Sequence, residues 1–402
     1  MSPLTTLIII LGLAGLGYLL GRRRAVALVA GDTRQLHSRP AYHGWLVALL
    51  AALPPLALLV LGGLALALAA GATHGAGALL APAAALLALA GVGVGLARIS
   101  PGFRARNAVE RVIGLLLILC SLIAIATTLG IVLSLVFESA SFFRLYPWHE
   151  FLFGTEWTPR FGGGSKLGML PLLWGTLYIS FIALLVAVPI GLFAAIYMSE
   201  YASRRVRAVA KPAIEVLAGI PTIVYGLFAL VTVGPLIRDW LAQPLGLGDS
   251  GASVATAGLV MGIMLIPFVS SLSDDIINAV PQSLRDGALG LGSTPSETIR
   301  HVVIPAALPG IVGAVLLAAS RAIGETMIVV LGAGAMARIS GNPFEAMTTI
   351  TVKIVGQLTG DNDFNSPETL VAFALGLTLF VMTLGLNVLA LYIVRKYREQ
   401  YE

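Results

Sequence analysis

Long apolar stretches separated by short polar segments dominate the chain. Nine of these stretches approach or exceed the roughly 20 residues that an α-helix needs to cross a bilayer. The pattern therefore predicts an all-α, polytopic membrane protein. The predicted spans are residues 3–20, 44–70, 78–97, 111–137, 171–198, 214–236, 253–272, 306–332 and 369–394.

Composition supports this picture and excludes several classes of function. Of the 402 residues, 57% are hydrophobic and 11% are charged, which lies far from the composition of soluble domains. The single cysteine, Cys120, allows neither an internal disulfide nor a cysteine metal site. The 5 histidines are scattered without metal-ligand spacing, so neither a metal nor a cofactor is expected. The net charge of +5 is not taken as a nucleic-acid signature, because the basic residues mark the orientation of the chain.

The basic residues collect in alternate loops. With the N-terminus placed outside, the inner segments hold 18 of the 25 Lys and Arg residues and the outer segments hold 6, while Arg321 falls within a span. The positive-inside rule therefore predicts an external N-terminus and a cytoplasmic C-terminus. Residues 274–305, the most polar segment between two spans, are then expected to lie in the cytoplasm. We call this segment the coupling-like loop.

The coupling-like loop carries an ordered set of small residues. Asp286 is followed by Gly287 and Ala288, then by Gly292, and Pro305 lies further along at the start of the next apolar stretch. An acidic residue followed by two small ones leaves little side chain to obstruct a partner. Without further information, this segment is equally compatible with an ordinary amphipathic connector between two spans.

Local signals predict two helices in this loop. Pro281 favours the first position of a short helix, and Gly292 can end that helix in a left-handed conformation. Thr294 and Glu297 then predict a capping box at the start of the next helix. One narrow apolar stripe on the first helix is formed by Leu284, Ala288 and Leu291.

Charged residues at membrane depth mark a second candidate site. Placing a charge there costs at least about 2.5–3.5 kcal/mol, so such residues usually face a bundle interior or a water-filled path. Arg321 and Glu325 are four residues apart and are expected to pair along one helix face, followed by Thr326. The pair either fixes helix packing or presents an arginine to an oxyanion, because the guanidinium fork suits phosphate.

A proline in the predicted span 214–236 adds a third feature. Pro221, followed by Thr222, breaks one backbone hydrogen bond and is expected to kink that span. Kinked helices commonly line transport paths, although a kink that serves packing alone is equally compatible with the sequence.

Several of these motifs resemble those of ABC importers. Residues 286–305 are similar to the cytoplasmic loop of importer-type ABC permeases that docks against the ATPase, although Gly287 stands where that family usually has alanine. Residues 321–327 (Arg-Ala-Ile-Gly-Glu-Thr-Met) resemble phosphate-importer permeases of the Pst system. The same holds for residues 190–201 and 217–226, while residues 341–349 look more like the C-type than the A-type subunit.

The resemblance implies a set of partners and roles. A C-type permease would pair with an A-type permease, a dimer of ATPases in the cytoplasm and a periplasmic phosphate-binding protein, in the lipid of a bacterial inner membrane. Nucleotide hydrolysis is expected on the separate ATPase, because the chain has no phosphate-binding loop of the Gly-x4-Gly-Lys-Ser/Thr type. The implied coupling residues are Asp286, Gly287, Ala288, Gly292 and Pro305, and the implied substrate path is lined by Arg321, Glu325, Thr326, Pro221 and Thr222.

The resemblance covers two expected domains unequally. Residues 105–402 correspond to a permease domain of six spans, whereas residues 1–100 form an extension of three spans whose role is unknown. The outer segment 138–169 is rich in aromatic residues, which fits an interfacial belt or a docking surface for the external binding protein. A permease for sulfate, molybdate or tungstate, or an ion-coupled secondary transporter, remains an alternative function.

Overall fold

A computed structural model of the chain describes residues 3–68, 74–160, 163–359 and 366–398. The chain folds into two compact units, Met1–Leu129 and Gly130–Glu402. Across the described ranges, nine helices are long and apolar enough to cross a membrane, which confirms the predicted all-α membrane fold. Residues 69 and 70 of the second predicted span and Phe161 of the outer segment lie outside the described residues.

The first unit is built from closely packed apolar helices. A short 3-10 turn, Thr33–Gln35, connects the first two. Glycine allows the backbones to meet, because a Cβ atom on Gly44 would lie 2.7 Å from the carbonyl oxygen of Tyr18. The helices are α1 (Pro3–Ala27), α2 (Pro40–Leu68), α3 (His74–Ala97) and the first part of α4 (Ala105–Leu145).

The second unit begins with the remainder of α4 and contains a small folded cap. Two strands of two residues each pair antiparallel, with Trp157 opposite Leu167. Phe142, Phe151 and Trp157 are buried, so these aromatic rings form a core and contribute neither to an interfacial belt nor to a docking surface, the two roles predicted for this segment. Trp148 and Phe153 remain exposed. The cap comprises α5 (Trp148–Phe153), β1 (Trp157–Thr158) and β2 (Lys166–Leu167).

The long helices of the second unit pack around one buried helix, α10. Two glycines on α10 allow α6 to approach, because a Cβ atom on Gly262 would lie 2.9 Å from the carbonyl oxygen of Ala183. The largest buried hydrophobic cluster forms along this contact. The elements are α6 (Leu170–Ile196), α7 (Arg204–Ala218), α8 (Thr222–Phe228), α9 (Gly234–Ile237), α10 (Val254–Asn278), α11 (Gln282–Gly290), α12 (Pro295–Thr298), α13 (Ile304–Ile323), α14 (Met327–Gly332), α15 (Ile350–Leu358) and α16 (Pro367–Arg398).

Several of these helices are joined by single π-helical segments into longer rods. The segment Tyr197–Tyr201 extends α6, and Ile299–Val303 joins α12 to α13. Ala229–Val233 joins α8 to α9, and Arg238–Ala242 follows α9. The joining is essential for the span Thr222–Ala242, because α8 and α9 are each too short to cross a membrane, whereas α6 and α13 already have 27 and 20 residues.

Two predicted spans differ from the observed ones. The predicted span 214–236 is replaced by Thr222–Ala242, because the chain breaks before Thr222 and α7 is a separate amphipathic helix. The predicted span 306–332 is replaced by Pro295–Ile323, because the helix already starts at the capped Pro295 and ends before Gly324. Both differences change where the candidate site residues lie.

Candidate functional site

Arg321 lies in the last turn of α13, next to an aromatic ring. Its guanidinium carbon is 5.7 Å from the centroid of the Phe268 ring on α10, which is a cation–π distance. Within the described ranges, no carboxylate forms a salt bridge with Arg321, and its side chain is exposed in the isolated chain. The N–H groups of this arginine therefore remain available to an anion.

The expected pairing of Arg321 with Glu325 is wrong. Helix α13 ends at Ile323, and Gly324 caps it, so the two residues do not share one helix face. The Glu325 carboxylate instead accepts hydrogen bonds from the backbone N–H groups of Met327 at 3.1 Å and Ile328 at 3.5 Å. Glu325 thus caps the short helix α14, because a carboxylate satisfies N–H groups that have no partner inside the helix.

The helix is interrupted between Ile323, where α13 ends, and Met327, where α14 begins. We call this interruption the Arg321 break, and a hydrogen bond from a second short helix, α15, holds it. Thr351, near the start of α15, donates its hydroxyl to the backbone carbonyl of Glu325 at 2.8 Å. Thr326 stands at the N-cap position of α14, but its side chain makes no capping hydrogen bond. The chain between α14 and α15 is held on α6, where Trp174 donates to the Ser340 carbonyl at 2.7 Å. Nothing in the sequence near Thr351 indicated its contact with Glu325, because that partner is 26 residues away.

Pro221 does not kink a span. It has extended backbone angles (φ −56°, ψ 137°) and precedes Thr222, the first residue of α8, where its missing N–H costs nothing. Tyr225 connects the two sides of the interruption between α7 and α8 by donating its hydroxyl to the Leu217 carbonyl at 2.8 Å. At the next position, a Cβ atom on Gly226 would lie 2.8 Å from the Met327 carbonyl oxygen. The helix that starts at Pro221 and Thr222 therefore contacts the helix that Glu325 caps.

The coupling-like loop has the predicted local structure. Gly292 adopts φ +90°, the left-handed conformation expected at the end of a helix. Thr294 and Glu297 form the predicted capping box. Helix α11 begins one residue later than predicted, at Gln282, because Pro281 takes the capping position itself.

Helix α11 presents small and apolar residues at its surface. A Cβ atom on Gly287 would meet no atom within 4 Å, whereas the neighbouring Ala288 is only 9% exposed. Leu291, at the end of the helix, is 90% exposed. Asp286 is exposed as well and accepts a hydrogen bond from Gln282 at 3.0 Å. An exposed leucine beside small residues is suited to contact with another protein.

Two groups of charged residues hold helices together near the coupling-like loop, one anchoring α11 and the other anchoring α7, and the sequence analysis did not identify them. In the first, Arg285 forms an ion pair with Glu200 at the end of α6, where both side chains are largely buried. It also donates to the Ile277 carbonyl of α10 at 2.8 Å. Their spacing of 85 residues carries no local signal. This ion pair joins the exposed helix to the ends of two long helices at once.

The second anchor lies just before the loop's first helix, at Asp274. This carboxylate is fully buried on α10 and accepts hydrogen bonds from Arg207 and Lys211 of α7, each at 2.9 Å. Asn278 donates to it at the same distance. The hydrogen bond to Asp274 raises the pKa of the Lys211 ammonium. Helix α7, which buries none of its own residues, is therefore held to α10 by charge.

The two candidate regions lie at opposite ends of one helical rod. Pro305 is in the first turn of α13 and Arg321 is in its last turn. At about 1.5 Å per residue, the helix between Pro305 and Arg321 separates the coupling-like loop from Arg321 by roughly 24 Å. The rod Pro295–Ile323 thus joins the second half of the coupling-like loop to the end of α13.

The chain is similar to known membrane transport proteins. A family profile described as phosphate ATP-binding cassette transporter matches residues 7–71. The probable ABC transporter permease protein YqgH of Bacillus subtilis (strain 168) is 33% identical over 266 residues, which cover 66% of this chain and 84% of that protein. The phosphate transport system permease protein PstC of Mesorhizobium japonicum is 36% identical over 262 residues, covering 61% and 78%. A solved bacterial ABC transporter involved in alginate import covers 73% of this chain and 99% of its own, with 14% identity and a TM-score of 0.47.

A second family profile, described as binding-protein-dependent transport system inner membrane component, matches residues 187–399. This match includes α10, the coupling-like loop and the Arg321 break, and it covers more than half of the chain. The chain belongs to the family of binding-protein-dependent transport system inner membrane components, the multi-pass permeases of ABC transporters.

Proposed function

We propose that this protein is the membrane-spanning permease subunit of an ATP-driven importer of inorganic phosphate. The names of the relatives support this assignment, since PstC of Mesorhizobium japonicum is a phosphate transport permease. The profile match at residues 7–71, described as phosphate ATP-binding cassette transporter, supports it independently. The protein is not itself an enzyme, and ATP is hydrolysed by a separate ATPase.

One observation carries the phosphate assignment, namely the arginine at the end of α13. Arg321 has no carboxylate partner in the described ranges and lies over an aromatic ring. Its planar fork can donate two parallel hydrogen bonds to a phosphate oxyanion. Glu325 and Thr326 shape the adjoining break, and the start of α8 at Pro221 and Thr222 borders it.

The coupling-like loop docks the ATPase. The contact surface has few protruding side chains, because residues 287, 288 and 292 are glycine or alanine. The exposed Leu291 supplies its apolar centre. When the ATPases close on ATP, α11 moves with them, and the ion pair of Arg285 passes this motion to α6 and α10. Pro305 and the rod that follows it carry the motion to Arg321.

The full transporter contains further subunits. This chain acts as the C-type permease and pairs with an A-type permease, so that each contributes one coupling-like loop to a dimer of ATPases. A periplasmic phosphate-binding protein delivers the substrate. The N-terminus faces the periplasm and the C-terminus the cytoplasm of the bacterial inner membrane, which agrees with a cytoplasmic position for α11. Residues 105–402 form the permease domain, and residues 1–100 add three spans to it.

Phosphate uptake in cells that lack this chain tests the proposal directly. We expect wild type to restore uptake of radiolabelled phosphate under starvation, with no competition from sulfate or molybdate. Arg321→Gln should assemble with its partners but restore less than about a tenth of the uptake, because a charged hydrogen bond to the anion is lost. Arg338→Gln is a matched control, since Arg338 already pairs with Glu345 at 3.1 Å.

Three results would contradict parts of the proposal. Normal uptake by Arg321→Gln would remove Arg321 from the path. Wild-type uptake that sulfate, molybdate or tungstate suppresses would instead assign another oxyanion to the same fold. Uptake that continues without any ATPase would favour an ion-coupled secondary transporter, for which the coupling-like loop has no use.

A further inference from the structure

Lys353 is a half-buried cation near the Arg321 break. It lies in the first turns of α15, and its ammonium donates a hydrogen bond to the Ala335 carbonyl at 3.0 Å. No carboxylate in the described part of the chain forms a salt bridge with it. A single neutral carbonyl therefore supports this charge, and two of the three ammonium donors remain for another acceptor.

Three of the five other cations on the same side of the predicted membrane (Lys166, Arg238 and Arg338) have acidic partners. The remaining two, Arg144 and Arg160, form no salt bridge in the described ranges but are exposed. Lys166 pairs with Glu156 at 2.6 Å and Arg338 pairs with Glu345 at 3.1 Å. Burial of a charge without an opposite charge is costly, and this burial lowers the pKa of the Lys353 ammonium. An anion that arrives beside Lys353 would offset this cost.

The position of Lys353 fits the approach to Arg321. Two residues before it, Thr351 holds the carbonyl of Glu325, four residues beyond Arg321. One turn after it, on the same helix face, a Cβ atom on Gly356 would meet no atom within 4 Å. Open space therefore adjoins the lysine, on a helix that is fixed to the break.

We propose that Lys353 is a second anion-binding residue of the transport path, which receives the oxyanion before it reaches Arg321. This inference rests on the proposed function and adds to it an anion-binding site on the outer part of the path. The compact ammonium of lysine binds phosphate as a point charge, whereas arginine binds it through a planar fork. An outer lysine followed by an inner arginine provides successive binding sites, each weak enough to release the anion onward.

A charge series at this position tests the inference. The complete transporter, with its ATPases and binding protein, would be reconstituted in vesicles carrying wild type, Lys353→Arg, Lys353→Gln or Lys353→Met. We expect the phosphate transport rate to fall about tenfold in the Gln and Met variants and to be largely kept in the Arg variant. Lys166→Gln is the matched control, because it removes an exposed lysine that already has an acidic partner.

The two neutral variants separate the contribution of the lysine charge from that of its hydrogen bond to the Ala335 carbonyl. Glutamine can still donate to the Ala335 carbonyl, whereas methionine cannot. If Lys353→Gln transports like wild type and only Lys353→Met fails, the lysine serves the carbonyl alone and the inference is overturned. Unchanged transport by both neutral variants, or loss in the Arg variant with intact assembly, would overturn it as well. Wild-type transport of phosphate in the same vesicles reports separately on the proposed function.

Discussion

Arg321 remains available to an anion because its observed partner, the ring of Phe268, binds it only weakly. A cation over an aromatic ring gains about 0.5–2 kcal/mol, which orients the guanidinium but leaves its N–H edge unsatisfied. A carboxylate in the same place would compete with phosphate for the fork of the arginine. Because Glu325 turns its carboxylate to the backbone of α14, it fixes the shape of the break without neutralising Arg321.

Glu325 variants distinguish capping from pairing. Glu325→Gln keeps an oxygen that can accept from the N–H groups of Met327 and Ile328, whereas Glu325→Ala removes it. We expect Glu325→Ala to destabilise the folded protein by about 1 kcal/mol, with Glu325→Gln losing less than half of that. Thermal unfolding of the purified transporter measures the difference. Equal destabilisation by both variants would show that the negative charge of Glu325, and not its capacity to accept a hydrogen bond, stabilises the start of α14.

At the scale of elements, the coupling-like loop is fixed to the ends of two long helices, α6 and α10. Helix α11 has few buried residues of its own, so its position depends on the contacts of Arg285 with Glu200 and with the Ile277 carbonyl. Removing one partner of a buried ion pair costs about 3–5 kcal/mol, because the other charge is left without compensation. Under the proposed function, such an anchor would transmit a movement of the ATPase to α6 and α10.

A charge swap tests this anchor. Arg285→Glu and Glu200→Arg should each lower phosphate uptake more than tenfold, because each places two like charges together. The double variant restores opposite charges and should recover a large part of the uptake. The exposed pair of Arg106 and Glu110 provides the control, since Arg106→Glu should leave uptake unchanged. Failure of the double variant to exceed the single ones would exclude direct transmission through this pair.

Local and distant features differed in how well the sequence predicted them. The capping box of Thr294 and the left-handed Gly292 were predicted, because each follows from a few neighbouring residues. The expected pairing of Glu325 failed because the four-residue rule assumes a continuous helix, and Gly324 interrupts it. Pro221 was ambiguous, since proline both disrupts helix interiors and starts helices. The anchors of the loop join residues far apart in the chain and left no local pattern.

At the scale of the whole molecule, the two candidate regions lie at opposite ends of one membrane-spanning rod. The rod Pro295–Ile323 begins in the coupling-like loop and ends at the Arg321 break, so one span connects the proposed ATPase contact to the proposed substrate path. This connection requires the two ends to lie on opposite sides of the membrane. The excess of Lys and Arg in the inner loops predicts which side is which.

Labelling of single cysteines decides the orientation. In a Cys120→Ser background, which removes the only native thiol, Leu291→Cys places a thiol at a highly exposed point of the coupling-like loop. Ser250→Cys places one in the exposed segment between Ala242 and Ser253. We expect a membrane-impermeant maleimide to label Leu291→Cys only in inside-out vesicles and Ser250→Cys only in right-side-out vesicles, provided that both variants still transport phosphate. Because an ATPase in the cytoplasm can reach only the inner face, labelling of Leu291→Cys from outside would remove the docking role of α11. The same result would leave Arg321 and Lys353 to be tested as residues of a path with the opposite entrance.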